Sequence, residues 1–224
     1  PPFDYHCPLL SLPLALHTTL GTIPAATPYL HADDENADRF RARIDEAMAG
    51  SGSNSGALKV WLVWAGGARA HVPELRKNDA RRSLAFEQLA PILDVPNVQF
   101  FSLQKGAAAA QLRAAQAAQP EPQAPARRII DWTDDLHDFA DTAALVANLD
   151  LVISVDTSSA HLAGAMNRPV WILNRLDTCW RWMLEREDSP WYPSARLFRQ
   201  PSLGDWASVL AAVADALRLR STTT

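Results

Sequence analysis

The chain has 224 residues, 48% of them hydrophobic, and a formal net charge of −4 at neutral pH. That is enough for one packed core of roughly 150–200 residues with a flanking segment, and the acidic balance weighs against bulk nucleic-acid binding, which needs a basic excess. The two cysteines, Cys7 and Cys179, stand far apart, against a disulfide framework and in favour of a reducing cytoplasm.

The six histidines do not fall at metal-ligand spacing, so no structural zinc is expected. No apolar run approaches the roughly twenty residues of a membrane span. The chain starts without methionine or a basic leader region. It reads as an excerpt of something longer.

Residues 1–30 are apolar and punctuated by Pro8, Pro13, Pro24 and Pro28, which forbid a long helix. They are too apolar for a free tail and are expected to pack on something, as a connector or the tail of a preceding domain. Residues 31–56 read as a helix (DDENADRFRARIDEAM, 33–48) and a flexible GSGSNSG loop. The helix has its acids at the start, where the dipole favours them.

From residue 57 onward strand and helix signals alternate. Strands are predicted at 58–65, 98–103, 128–132, 151–156, 169–173 and 195–199. Helices are predicted at 83–93, 107–118, 138–149, 158–166 and 205–219, with loops at 64–83 and 119–126. Wholly apolar strands separated by helices indicate a parallel sheet covered on both faces, a doubly wound, Rossmann-like α/β domain. Right-handed crossovers then bring every strand-to-helix loop to the carboxyl edge, where a site belongs.

The sharpest motif is VISVDTSSAHLAGA (152–165), in which a strand ends at Asp156 and a helix starts after Thr157, Ser158 and Ser159. Free N–H groups and the positive dipole end at a helix start suit a phosphate, and His161 falls in the first turn. The alternative is a hydroxyl cap with His161 packed on the sheet.

The second motif is WAGGARAHVPELRKNDARRS (64–83). Here Gly66 and Gly67 permit close backbone approach, and Arg69, Arg76, Lys77, Arg81 and Arg82 form the most basic stretch. A solvated basic loop is the other reading. In SLQKG (102–106), Gln104 and Lys105 could face a base, ribose or phosphate, or simply form a turn.

The block DTCWRWMLEREDSPWYP (177–193) is dense in aromatics, including Trp180, Trp182, Trp191 and Tyr192. Such rings suit a sugar cleft, an interdomain face or plain core packing. No Walker A loop, nucleophile elbow or GxGxxG is present, which weighs against a Rossmann dehydrogenase.

Taken together, FDYHCPLLSLPLAL, VWLVWAGGARAH, KNDARRS, FFSLQKG, the long segment from DFADTAAL to PVWIL, WRW and DSPWYPSARLFRQ resemble a known family. It is the heptosyltransferase-like domain of glycosyltransferase family nine, as it occurs after tetratricopeptide repeats in bacterial proteins. The resemblance runs from Phe3 to about Leu217.

It implies the C-terminal half of a GT-B enzyme, which holds a nucleoside-diphosphate sugar for inverting, metal-independent transfer without any cofactor. On that resemblance Asp156, Thr157, Ser158 and His161 match the Asp-Thr-x-x-x-His donor motif, with serine where heptosyltransferases usually have glycine. Asp79 and Arg82 match the region facing the diphosphate, and Gln104 and Lys105 the region near base and ribose.

The resemblance places the catalytic base in an N-terminal domain that this chain lacks, so the chain alone is expected to be inactive. His6, Trp180 and Arg181 are then candidates for the interdomain cleft. The implied partners are the nucleotide sugar, the missing domain, and an acceptor glycan, lipid-linked glycan or protein. Two rival readings are a non-catalytic interaction module on the same fold and an epimerase-like GT-B enzyme acting on the nucleotide sugar.

Overall fold

The computed structural model describes residues 2–50, 56–67, 72–118 and 128–222. Arg69 and most of the two predicted loops at 50–56 and 119–126 fall outside the described residues. Among those described, six strands form one parallel sheet in the order β3-β2-β1-β4-β5-β6. They are β1 (Leu58–Val63), β2 (Val98–Ser102), β3 (Ile130–Asp131), β4 (Leu151–Val155), β5 (Val170–Asn174) and β6 (Ala195–Arg199).

Alternation along the strands sorts the core into two layers. Leu58, Val60, Leu62 and Trp64 point to the face covered by α4 (Ala90–Leu93), α5 (Ala109–Ala118) and α8 (Trp206–Ser221). Trp61 and Val63 point to the other face, under α2 (Asp34–Gly50), α6 (Phe139–Val146) and α7 (Ser158–Ala165). Because both faces are covered, the strands carry no polar face, which is why they read as continuous apolar runs.

The chain reverses its direction of winding between β3 and β4, which places β1 beside β4 with Trp61 opposite Val152. The loops leaving these two strands diverge and open a crevice at the carboxyl edge.

Two expectations need correction. The stretch 64–83 is not all loop: Pro73–Arg82 forms the helix α3, with proline in its first turn, where a missing N–H costs nothing. The predicted helix 83–93 is divided into a 3-10 turn, Phe86–Leu89, and the short α4, because Pro91 cannot bond back into a continuous helix. Within residues 2–30, Leu12 and Ile23 are half-buried. The segment forms α1 (Leu12–Ala15) and turns, while Phe3, Tyr5, Leu9 and Leu14 stay exposed.

This segment is tied to the domain at its end, where the Tyr29 and Leu30 amides donate to the Ala165 carbonyl. Helix α2 is also part of the domain. Phe40 and Ile44 are buried in the core, and the Asn148 side-chain amide donates to the Ala37 carbonyl at 2.8 Å. No described helix is long and apolar enough to cross a membrane.

Candidate functional site

The carboxyl edge holds a cavity of about 450 Å3 at the β1/β4 crevice. Loops after four strands line it: Gly67 after β1, Lys105 after β2, His137 and Phe139 after β3, and Thr157 to Ser159 after β4. Trp61 and Val63 form part of its apolar floor.

The Thr157 turn carries the anion-binding potential. Thr157 is the N-cap of α7 but makes no side-chain capping bond. Its hydroxyl instead pairs with the Ser154 hydroxyl at 2.9 Å. The first N–H groups of α7 are therefore left without a side-chain cap at the cavity wall, in the positive field of the helix end.

Asp156 precedes the turn. Burial pushes its carboxyl up, but its interactions with nearby His161 and the charge of Arg82 outweigh burial and hold it below the usual carboxylate value. The buried Trp182 indole N–H makes no hydrogen bond of normal geometry, yet its dipole acts in the same direction. His161 Nε2 lies 3.7 Å from Asp156 Oδ1. Its ring stacks on Trp182 at 5.1 Å between centroids, and Nδ1 pairs with the Tyr192 hydroxyl at 3.0 Å. Burial and a hydrogen bond with Tyr29 push the Tyr192 phenol well above its ordinary value, so Tyr192 stays neutral.

Two glycines are explained by close approach. A Cβ on Gly66 would lie 2.1 Å from Asp79 Oδ1, and one on Gly164 would lie 2.4 Å from the Tyr192 ring. Gly66 thus makes room for the pair in which Arg82 Nη2 donates to Asp79 at 2.8 Å. Arg82 Nη1 also donates to the Asp156 carbonyl at 2.7 Å, so this arginine clamps α3 to the Thr157 turn. Gly67 lines the cavity and has open space around it.

The basic stretch otherwise faces elsewhere. Arg76 and Lys77 are exposed, Arg81 pairs with Asp177, and among the described residues no basic side chain of 72–83 lines the cavity.

Gln104 is buried, and its side chain braces the edge. Oε1 accepts from the amides of Trp64 and Ala65, at 3.0 and 2.7 Å, and Nε2 donates to the Ala65 and Lys105 carbonyls. Lys105 lines the cavity with its ammonium bonded to the Leu136 carbonyl. Trp180 and Arg181 lie near His161 around a smaller cavity, described below, whereas His6 lies on the exposed N-terminal segment and lines neither cavity.

Sequence reasoning missed His137, Asp138, Phe139 and Thr142, which form one side of the larger cavity. The winding rule that directed attention to the loops after β1, β2 and β4 applies equally to the loop after β3. Among the described residues, no group of three or more His, Cys, Asp or Glu side chains could hold a metal ion.

Residues 85–175 match the sequence model of glycosyltransferase family 9 (heptosyltransferase). The chain is 30% identical over 222 residues to Protein FlbA of Caulobacter vibrioides, covering 96% of this chain and 33% of FlbA. It therefore spans about a third of that relative's length.

Among solved structures, it is similar to the ADP-heptose lipopolysaccharide heptosyltransferase II of E. coli, with a TM-score of 0.57 and 15% identity. That likeness covers 92% of this chain and 58% of the other. A glycosyl transferase family 9 structure from Veillonella parvula gives a TM-score of 0.52 at 15% identity, covering 91% and 57%. At such identity these likenesses speak for the fold. Residues 85–175 thus match glycosyltransferase family 9, and they lie on a six-stranded parallel sheet with the fold of solved heptosyltransferase structures.

Proposed function

We propose that this chain is the donor-binding half of an inverting, metal-independent glycosyltransferase, taking a nucleoside-diphosphate sugar at the β1/β4 crevice. The observation that carries the reading is the start of α7, which no side chain among the described residues caps, set in the wall of the 450 Å3 cavity. The nucleoside would lie over β1 to β3, against Phe139 and the Gln104–Lys105 turn. The diphosphate would meet the Ser158 and Ser159 amides and hydroxyls, with Lys105 within reach.

In the reaction, an acceptor oxygen displaces the nucleoside diphosphate from the anomeric carbon, and a base outside this chain takes the acceptor's proton. The Thr157 turn then stabilises the negative charge that builds on the departing phosphate. Such preorganised donors contribute more than water can, because they need no reorientation. Arg82 and Asp79 hold the turn in place, and Asp156 and His161 face the transferred sugar.

The exposed apolar side chains of residues 2–30 suit burial against the rest of a longer protein, including the domain that would supply the base. The acceptor belongs to a glycan, a lipid-linked glycan or a protein.

Thermal denaturation with ADP, UDP, GDP and TDP tests the reading. A ligand at about a hundred times its dissociation constant adds about 2.7 kcal/mol, a rise of several degrees for a domain of this size. One nucleotide is expected to give that rise, and the Thr157→Ala/Ser158→Ala double variant to lose it. A double variant that binds as tightly as the unaltered chain would sink the phosphate assignment.

A further inference from the structure

We infer that Trp180, Arg181 and Trp191 form a stacking subsite for the sugar ring, on the far side of His161 from the nucleotide cavity. A second cavity of about 110 Å3 is lined by His161, Trp180, Arg181, Trp191 and Tyr192. It is far smaller than the 450 Å3 of the first, too small for a nucleoside and suited to receiving part of a single ring.

Its position along the sheet edge carries the assignment. The larger cavity is built from loops after β1, β2, β3 and β4, whereas the smaller one uses α7 and the connection from β5 to β6. Along the sheet edge, a ligand with its nucleoside over β1–β3 and its phosphates at Thr157 has His161, one turn further along α7, and this aromatic corner next in order. The inference therefore rests on the donor reading above.

The corner is held rigid while its face stays open. Trp182 is fully buried under His161, and Met183 adopts φ 51° to end the 3-10 turn Trp180–Trp182. Trp191 Nε1 donates to the Arg181 carbonyl at 2.9 Å, fixing that turn. Trp180 meets Trp191 edge-to-face at 5.8 Å and carries the Arg181 guanidinium at 4.9 Å from its ring.

Even so, Trp180 is 58% exposed. An indole ordered by this many contacts yet open to solvent offers a flat apolar surface at little entropic cost. A pyranose has the complementary chemistry, with axial C–H groups for the ring face and hydroxyls for Arg181 and His161. The family match ends at Arg175, so this corner belongs to the part of the chain that the match does not describe.

The test is calorimetric titration of the chain with the nucleoside diphosphate that binds it. The glucose, galactose, N-acetylglucosamine, mannose and heptose conjugates of that nucleotide follow. One conjugate is expected to bind at least about tenfold tighter than the bare diphosphate. Trp180→Ala is expected to abolish that increment and leave bare-diphosphate affinity unchanged, with Trp180→Phe restoring part of it.

The subsite is overturned if no conjugate gains over the bare diphosphate. It is equally overturned if Trp180→Ala leaves the gain intact or weakens diphosphate and conjugate alike. Absence of any nucleotide binding would bring down the donor reading itself, which separates the two failures.

Discussion

Helices α6 and α7 both begin at the larger cavity, and their first turns are built in opposite ways. At α6 the Asp138 carboxylate accepts from the Ala140 and Asp141 amides at 2.8 and 3.0 Å, and these bonds hold its own pKa down. At α7 the equivalent residue, Thr157, turns its hydroxyl back to Ser154 and does not cap the first amides. One helix supplies its own anion and the other does not. Of the two positive ends on one cavity, the first is already met by a carboxylate of its own helix start.

The largest stability effect is expected from crowding α7 against its support. Gly164→Ala would press a methyl group on the Tyr192 ring, and overpacking of this kind costs about 1–3 kcal/mol. Thermal denaturation should show a fall of several degrees, and an unchanged melting temperature would mean that Tyr192 is not seated as described.

Next comes the helix-start comparison itself. Asp138→Ala removes two capping bonds and should lower the melting temperature, whereas Thr157→Ala removes none and should lower it less. For nucleoside-diphosphate affinity the order should reverse, with Thr157→Ala the more damaging. Equal effects of the two substitutions in both assays would erase the distinction between the helices.

The smallest effect concerns pH. Asp156 is held below its ordinary carboxylate value, so its contribution to stability is fully present above about pH 4. That contribution is lost as pH falls through the lower folded-state value. Urea denaturation between neutral pH and acid should show a shallower acid loss for Asp156→Asn than for the unaltered chain. An identical acid limb would remove the His161 and Arg82 interactions from the account.

Where the sequence was readable, the reason was burial. Strands β1, β4 and β5 are apolar on both sides because helices cover both faces, so their runs stood out and their ends lay within two residues of expectation. Strand β3 shrank from five residues to two, since only Phe101 and Ser102 of β2 pair with it. Helix α3 was invisible because its sequence, PELRKNDARR, has no apolar period to detect. It could be placed only by its contacts, Arg82 reaching Asp79 and the Asp156 carbonyl.

The sequence by itself determined the α/β class, the carboxyl edge to which the strand-to-helix loops come and the start of α7 directly after Thr157. These follow from local pattern, from burial on both faces and from the hand of the crossovers. Tertiary structure alone decided what each polar side chain does. Gln104 read as a ligand contact or as part of a plain turn, and it braces backbone groups some 40 residues away in the chain, at Trp64 and Ala65. His161 read as facing an anion or as packed on the sheet, and Trp182, Tyr192 and Asp156 surround it from three directions. Hydrogen-bond partners distant in sequence leave no periodic trace, so roles set by such pairings appear only when the sheet has brought the loops together.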